Sequence, residues 1–209
     1  MKFVVISDTH GLHQEIRDLP PGEVIIHGGD FCRLGQEEDA RDFLAWFSSL
    51  DYQYKILIAG NHDFIAYTHP HRFQKLIPPG IIYLNDSGTK ISHWNIWGSP
   101  VQPDLSGWAF GKLRGAEIKA HWDLIPPETD ILITHTPPKD VLDQSSKGRS
   151  LGCEELAYRL AETKVQVHVF GHIHASYGKL EKHGRLYING SSIQSGKGVR
   201  NKPIVFTLS

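Results

Sequence analysis

Ile56-Leu57-Ile58-Ala59-Gly60-Asn61-His62-Asp63 is the stretch on which the reading of this chain turns. An apolar run rich in branched residues and closed by glycine reads as a buried strand that delivers a loop at its end. In that loop Asn61 offers a neutral amide oxygen, a modest metal ligand, and His62 an imidazole that can carry a proton near neutral pH. An Asn-His pair in a turn decides nothing alone, but the arrangement recurs. Phe3-Val4-Val5-Ile6 leads to Asp8 and His10, and Val24-Ile25-Ile26 leads through His27-Gly28-Gly29 to Asp30. Ile131-Leu132-Ile133 leads to His135, and Val167 to Phe170 leads to His172 and His174. Apolar strands that each end in a metal-type ligand predict one cation-binding site assembled at a common edge.

Between these blocks the pattern alternates strand and helix in the first third of the chain. Residues 36–50 place Phe43, Leu44 and Phe47 along one face, the spacing of an amphipathic helix. Residues 64–76 predict a helix broken by Pro70, with His69 and His71 flanking the proline as surface or supporting groups. After Asp8-Thr9-His10-Gly11 two readings stand: Asp8 or Thr9 caps a helix running through Arg17, or Asp8 and His10 converge on a cation. The middle of the chain changes character, with short strands at 81–84, 89–92 and 94–97 joined by hairpin-type links. Helices are expected at 115–122 and 151–162, and closing antiparallel strands at 177–181, 185–188 and 204–208.

Two loops attract interest. The glycine- and aromatic-rich stretch from Gly98 to Phe110 is long for a compact domain unless it lines a site. Within it Trp108 and Phe110 either stack on a base or seal a core edge. Arg114 is either a phosphate contact, since guanidinium donors match phosphate oxygens in pairs, or a solvated arginine before a helix. Residues 143–150, carrying Lys147 and Arg149, read as a plain solvent loop or as a flap over an anionic substrate. Cys32 reads as a soft ligand or a buried thiol, and the oxygen and nitrogen character of the other donors favours the thiol.

Composition narrows the function class. With 209 residues and a formal net charge of −1, the chain has room for one substantial core, and one domain over 1–209 is expected. Bulk charge gives no reason to expect nucleic acid or a membrane surface as a partner. Two cysteines make no disulfide framework, no run approaches the roughly 20 apolar residues of a bilayer span, and no signal-peptide pattern precedes the first strand. These features predict a cytoplasmic protein.

Taken together, Asp8-x-His10, Gly29-Asp30, Gly60-Asn61-His62-Asp63, His135 and Gly171-His172-x-His174 resemble the signature of the calcineurin-like metallophosphoesterases, in the family's order across almost the whole chain. Gly98-Ser99-Pro100, Gly107 to Phe110, Arg114-Gly115, Leu124-Ile125-Pro126 and Tyr187-Ile188-Asn189 are similar to a brain metallophosphoesterase-domain-containing subfamily of phosphodiesterases. The resemblance implies an α/β fold: a four-layer αββα sandwich of two mixed β-sheets flanked by helices. It implies two divalent transition-metal ions, manganese foremost, with iron, zinc, cobalt or nickel compatible. Asp8, His10, Asp30 and His174 would hold one ion. Asp30, Asn61, His135 and His172 would hold the other. His62 would protonate the leaving alkoxide, and Asp63 either orients it or makes a loop hydrogen bond.

The subfamily is associated with cyclic nucleotides and related diesters, so a small phosphodiester or nucleotide is the expected substrate. A phosphomonoesterase and a non-catalytic metal- or nucleotide-binding scaffold are the alternatives. Two departures matter. Arg33-Leu34-Gly35 stands where protein phosphatases of this class carry Asp-Arg-Gly, which argues against protein substrates. Thr136 stands where relatives usually have glycine.

Overall fold

Both faces of the first strand are buried, Phe3 and Val5 on one side and Val4 and Ile6 on the other, and that alternation builds the layers. The computed structural model describes residues 1–104, 106–194 and 197–209. Its strands are β1 (Lys2–Ile6), β2 (Val24–His27), β3 (Tyr54–Leu57), β4 (Ile81–Tyr83), β5 (Ser87–Ile91), β6 (Trp94–Ser99), β7 (Gln102–Pro103) and β8 (Gly111–Lys112). They continue with β9 (Ile131–Thr134), β10 (Val167–Phe170), β11 (Gly178–Lys182), β12 (Arg185–Asn189), β13 (Ile193–Gln194), β14 (Gly198–Val199) and β15 (Ile204–Thr207). The helices are α1 (Glu37–Ser49), α2 (Phe64–Thr68), α3 (Pro70–Leu76), α4 (Ala116–Trp122) and α5 (Glu154–Ala161).

One sheet has the order β15-β1-β2-β3-β4 and the other β11-β12-β10-β9-β6-β5. Both are mixed. β1 to β4 run parallel with antiparallel β15 at the edge, and β12, β10, β9 and β6 run parallel between antiparallel β11 and β5. Phe3, Val5, Ile26, Ile56 and Ile58 of one sheet share a core with Ile96, Ile131, Ile133, Val169 and Ile188 of the other. The opposite face of the first sheet, with Val4, Ile6, Ile25 and Leu57, packs on Phe43, Leu44 and Phe47 of α1 and Phe73 of α3. The opposite face of the second, with Leu132, Phe170 and Tyr187, packs on Ile118 and Trp122 of α4 and Leu156 and Leu160 of α5. The layers are therefore helix, sheet, sheet, helix, as the resemblance implied. Near-continuous apolar strands are what a parallel sheet covered on both faces requires.

Local expectations meet three corrections. No α-helix follows Asp8-Thr9: the segment has one 3-10 turn, His13–Glu15, before Pro20-Pro21. Asp8 is buried and its carboxylate accepts the amide of His172 across the molecule, so it caps nothing locally. The helix expected from Leu151 begins only at Glu154, because Gly152 and Cys153 pair their backbone with the loop at Pro137 and Asp143. The long loop after Gly98 holds a short parallel pair, β7 with β8. The break at Pro70 is present, with proline opening α3, where its missing N–H costs no intrahelical bond. Both cysteines are buried and free. Among the described residues no helix is long and apolar enough to cross a membrane.

Candidate metal centre

The parallel strands of both sheets end at one edge, and the ligand-type residues meet there. Asp8 and His10 follow β1, Asp30 follows β2, Asn61 follows β3, His135 follows β9, and His172 and His174 follow β10. In open parallel sheets the carboxyl ends of the strands are where ligand sites form. The backbone is bent sharply to do this. Asp8, His10, Asp30 and His172 all have positive φ, between 44° and 66°, a region that Asp, His and Asn enter more readily than other side chains. Glycines clear the approach: a Cβ on Gly29 would meet Ala59 O at 2.6 Å and His135 Nδ1 at 2.7 Å. One on Gly171 would run into the Asp8 carboxylate and the Ser7 hydroxyl.

Two groups of donor atoms result. His174 Nε2 lies 3.3 Å from Asp8 Oδ1 and 3.4 Å from His10 Nε2, and His10 Nε2 is 3.7 Å from Asp30 Oδ2. On the other side His135 Nε2 lies 3.3 Å from Asp30 Oδ2 and 2.9 Å from Asn61 Oδ1, and His172 Nδ1 lies 2.9 Å from the same amide oxygen. The ligand atoms within Asp8–His10–His174 and within Asp30–His135–His172 all fall within 4.8 Å of one another. His135 uses Nδ1 to donate to Gly28 O at 3.0 Å, so its Nε2 faces only oxygen acceptors. Acceptors converging in this way need a positive charge among them, a proton or a metal ion, and mixed oxygen and nitrogen donors suit a divalent metal. The residues present therefore fit divalent-metal binding, with Asp30 Oδ2 lying between His135 of one group and His10 of the other.

Electrostatics follow the same arrangement. Burial opposes charge on Asp8 and Asp30, yet their histidine partners hold both well below the usual carboxylate range: mainly His174 for Asp8, and His135 then His10 for Asp30. Burial likewise opposes a proton on His135, but the charge and hydrogen bond of Asp30 outweigh it and push His135 up to about 9. His172 is pulled down to about 3 by burial and then by the charge of His135, which keeps its imidazole neutral and free to ligate.

His62 sits beside this pair and is held differently. Its Nδ1 is 2.8 Å from Arg33 O; a carbonyl only accepts, so Nδ1 carries the hydrogen and Nε2 is left for proton exchange. Its ring meets His10 edge-on at 4.4 Å and packs at 4.3 Å against Trp108. One of its nitrogens also lies within 4.8 Å of donor atoms of His10 and Asp30. Among the described residues Asp63 makes no hydrogen bond to the His62 ring: its carboxylate accepts the amides of Asp30, Cys32 and Gly60 at 2.7 to 2.9 Å, the loop hydrogen-bond alternative. Burial, then the nearby Asp63 carboxylate, push the Cys32 thiol far above its usual range, and none of the candidate ligand groups among the described residues includes it.

The outlying residues divide. Trp108 is half-buried against His62 and Phe64, whereas Phe110 is buried against Tyr67 at a core edge. Arg114 is anchored, its Nη2 donating to Leu151 O at 3.3 Å and Gly152 O at 3.1 Å. The loop of Lys147 and Arg149 is clasped by Asp143, which accepts the Asp140 and Gly152 amides and the Ser150 hydroxyl. Lys147 and Arg149 point out as exposed side chains. Ser145, Ser146 and Leu151 of that region instead line a cavity of about 180 Å³ with His172 and His174. A larger cavity of about 500 Å³, between residues 15–20 and 199–203, contains none of the ligand residues. His69 and His71 are exposed and belong to none of the candidate metal groups among the described residues. The bond from His62 to the Arg33 carbonyl had no signal in the sequence, because any residue supplies a carbonyl.

Comparison with known proteins shows the family. Residues 1–176 match the profile of the calcineurin-like phosphoesterases. The chain is 37% identical to Metallophosphoesterase domain-containing protein 1 of Homo sapiens, over 99% of this chain and 71% of that protein. Its fold is similar to the solved structure of TT1561 of Thermus thermophilus, with a TM-score of 0.61 and 12% identity over 90% of this chain and 88% of that one. It is also similar to GAP50, the anchor in the inner membrane complex of Plasmodium, with a TM-score of 0.52 and 16% identity over 98% and 76% of the two chains.

Proposed function

The chain belongs to the calcineurin-like phosphoesterase family, and from that premise we propose that it is a dinuclear-metal-dependent phosphodiesterase of small diesters, cyclic nucleotides foremost. The supporting observation is the pair of donor groups, Asp8–His10–His174 and Asp30–His135–His172, linked by Asp30 Oδ2 at 3.7 Å from His10 Nε2, with the Asn61 oxygen 2.9 Å from two imidazoles of the second. In this reading Asp8, His10, Asp30 and His174 hold one ion, and Asp30, Asn61, His135 and His172 hold the other. Manganese is the leading candidate among metals that suit this donor set. When bound, such a pair supplies Lewis acidity towards phosphoryl oxygens and an activated water.

The protein's own groups do the rest. Asp30 and Asp8 supply the negative charge that retains the ions, and the amide of His62 fixes the orientation of Asp30 through Oδ1 at 2.7 Å. His62, with Nδ1 held by the Arg33 carbonyl, delivers a proton from Nε2 to the departing alkoxide. Trp108 offers a half-exposed aromatic face beside His62 on which a base or other ring can stack. The unit is one domain over 1–209, and two free cysteines support a reducing, cytoplasmic setting.

The test is hydrolysis of bis-p-nitrophenyl phosphate against p-nitrophenyl phosphate by metal-free protein reloaded with manganese. A clear diester preference supports the proposal and directs screening to 2′,3′- and 3′,5′-cyclic nucleotides. A monoester preference makes the protein a phosphatase, and silence on both with two ions bound makes it a scaffold.

A further inference from the structure

We propose that Arg33 docks the anionic phosphoryl group of the substrate at the rim of the metal centre. Its backbone is fixed at the site: its carbonyl takes His62 Nδ1 at 2.8 Å, and its amide donates to Asp39 Oδ2 at 3.3 Å. Two residues on, Gly35 has φ +72° and packs so tightly on His62 O and the Phe64 amide that no side chain fits. From this fixed point the side chain runs over Gly11. A Cβ on that glycine would lie 3.8 Å from Arg33 Nε and 3.9 Å from Nη2, so the guanidinium lies alongside the residue that follows His10.

The guanidinium is exposed and, among the described residues, makes no ion pair and no side-chain hydrogen bond. The other nearby arginine, Arg114, is tied to Leu151 and Gly152 carbonyls, and Lys147 and Arg149 sit on an exposed loop. Arg33 thus holds His62 through its carbonyl and lays its side chain beside Gly11, next in the chain to His10, with its guanidinium donors uncommitted among the described residues. A guanidinium fork matches two phosphoryl oxygens, and its charge beside the donor groups favours anionic ligands over neutral ones.

The inference rests on the phosphoesterase reading of the site, and its test separates the two. Inorganic phosphate is titrated calorimetrically into manganese-loaded wild type, Arg33→Gln and Arg33→Lys, with metal content and melting temperature measured alongside. The expected result is phosphate binding weakened about tenfold or more in Arg33→Gln and partly restored in Arg33→Lys, with two ions retained in each. KM for bis-p-nitrophenyl phosphate should rise in parallel, with a smaller change in kcat. Wild-type phosphate affinity in Arg33→Gln overturns the docking role, whatever the protein hydrolyses. Weakened phosphate binding in a protein that hydrolyses no diester leaves the docking role standing and removes the phosphodiesterase reading.

Discussion

The backbone amide of His62 donates to Oδ1 of Asp30 at 2.7 Å, which joins the proposed proton donor to the proposed shared carboxylate. With Oδ1 engaged, Oδ2 is the oxygen that faces His135 at 3.3 Å and His10 at 3.7 Å. Asp30→Asn keeps an acceptor for the amide but puts a neutral group, one of whose ends donates, between two imidazoles. Both ions should weaken together, and turnover should fall by at least roughly 100-fold, more than loss of an outlying partner of a ligand costs. Elemental analysis after dialysis checks this. One fully occupied ion with substantial turnover would mean that Asp30 is not shared.

His62→Ala removes the imidazole and leaves the main-chain bond to Asp30 in place. Two ions should remain, while hydrolysis of a diester with an alkoxide leaving group drops by about 10² to 10⁴, the usual contribution of a positioned acid. The drop should be much smaller for bis-p-nitrophenyl phosphate, whose phenolate leaves without help. Loss of an ion would instead make His62 a ligand, a role that its closeness to His10 and Asp30 makes worth excluding.

The strands and the ligand types were legible because both are local. Apolar runs such as Ile131-Leu132-Ile133 reveal buried strands, and few residue types can bind metal at their ends. What escaped depends on approach in space. The Asp8 carboxylate turns to the amide of His172, 164 positions away, which no local pattern distinguishes from a helix cap. Asp63 serves three backbone amides while a carbonyl holds His62, a division of labour that side-chain identities do not encode. Arg114 read either as a phosphate contact or as a solvated arginine before a helix, and only the fold brings the carbonyls of Leu151 and Gly152 to its Nη2.

Gly171 tests how far the centre depends on close packing. A methyl group there collides with the Asp8 carboxylate and Ser7 hydroxyl, both at buried positions. Gly171→Ala should cost about 1–3 kcal/mol of stability, as overpacking of a tight interior does. Because Asp8 belongs to only one of the two donor groups, metal content should fall towards one ion per chain, with turnover lost. Two ions and wild-type turnover would show that the centre absorbs the methyl group without displacing the Asp8 carboxylate.

Acid stability of the metal-free protein should depend on histidines outside the centre. His168 is fully buried, and its Nε2 lies 2.8 Å from Thr134 Oγ1, which gives its own hydrogen to Thr136 O at 2.7 Å. His168 therefore donates through Nε2, and its Nδ1 has no partner for a second proton. Burial, then the charge of Arg185, hold its pKa well below the usual histidine value. His27, buried against Phe43, is likewise held at about 3, with burial the main cause. Above the unfolded histidine pKa of about 6.5 both states are neutral and neither group matters. As pH falls below it the unfolded chain takes up protons that the native state refuses, so stability is lost at about 1.4 kcal/mol per pH unit for each such histidine. Urea unfolding between pH 6 and pH 5 should show this slope, reduced by about one histidine's share in His168→Gln, whose amide can still donate to Thr134. Identical slopes in the two proteins would mean that His168 accepts its proton in the folded state after all.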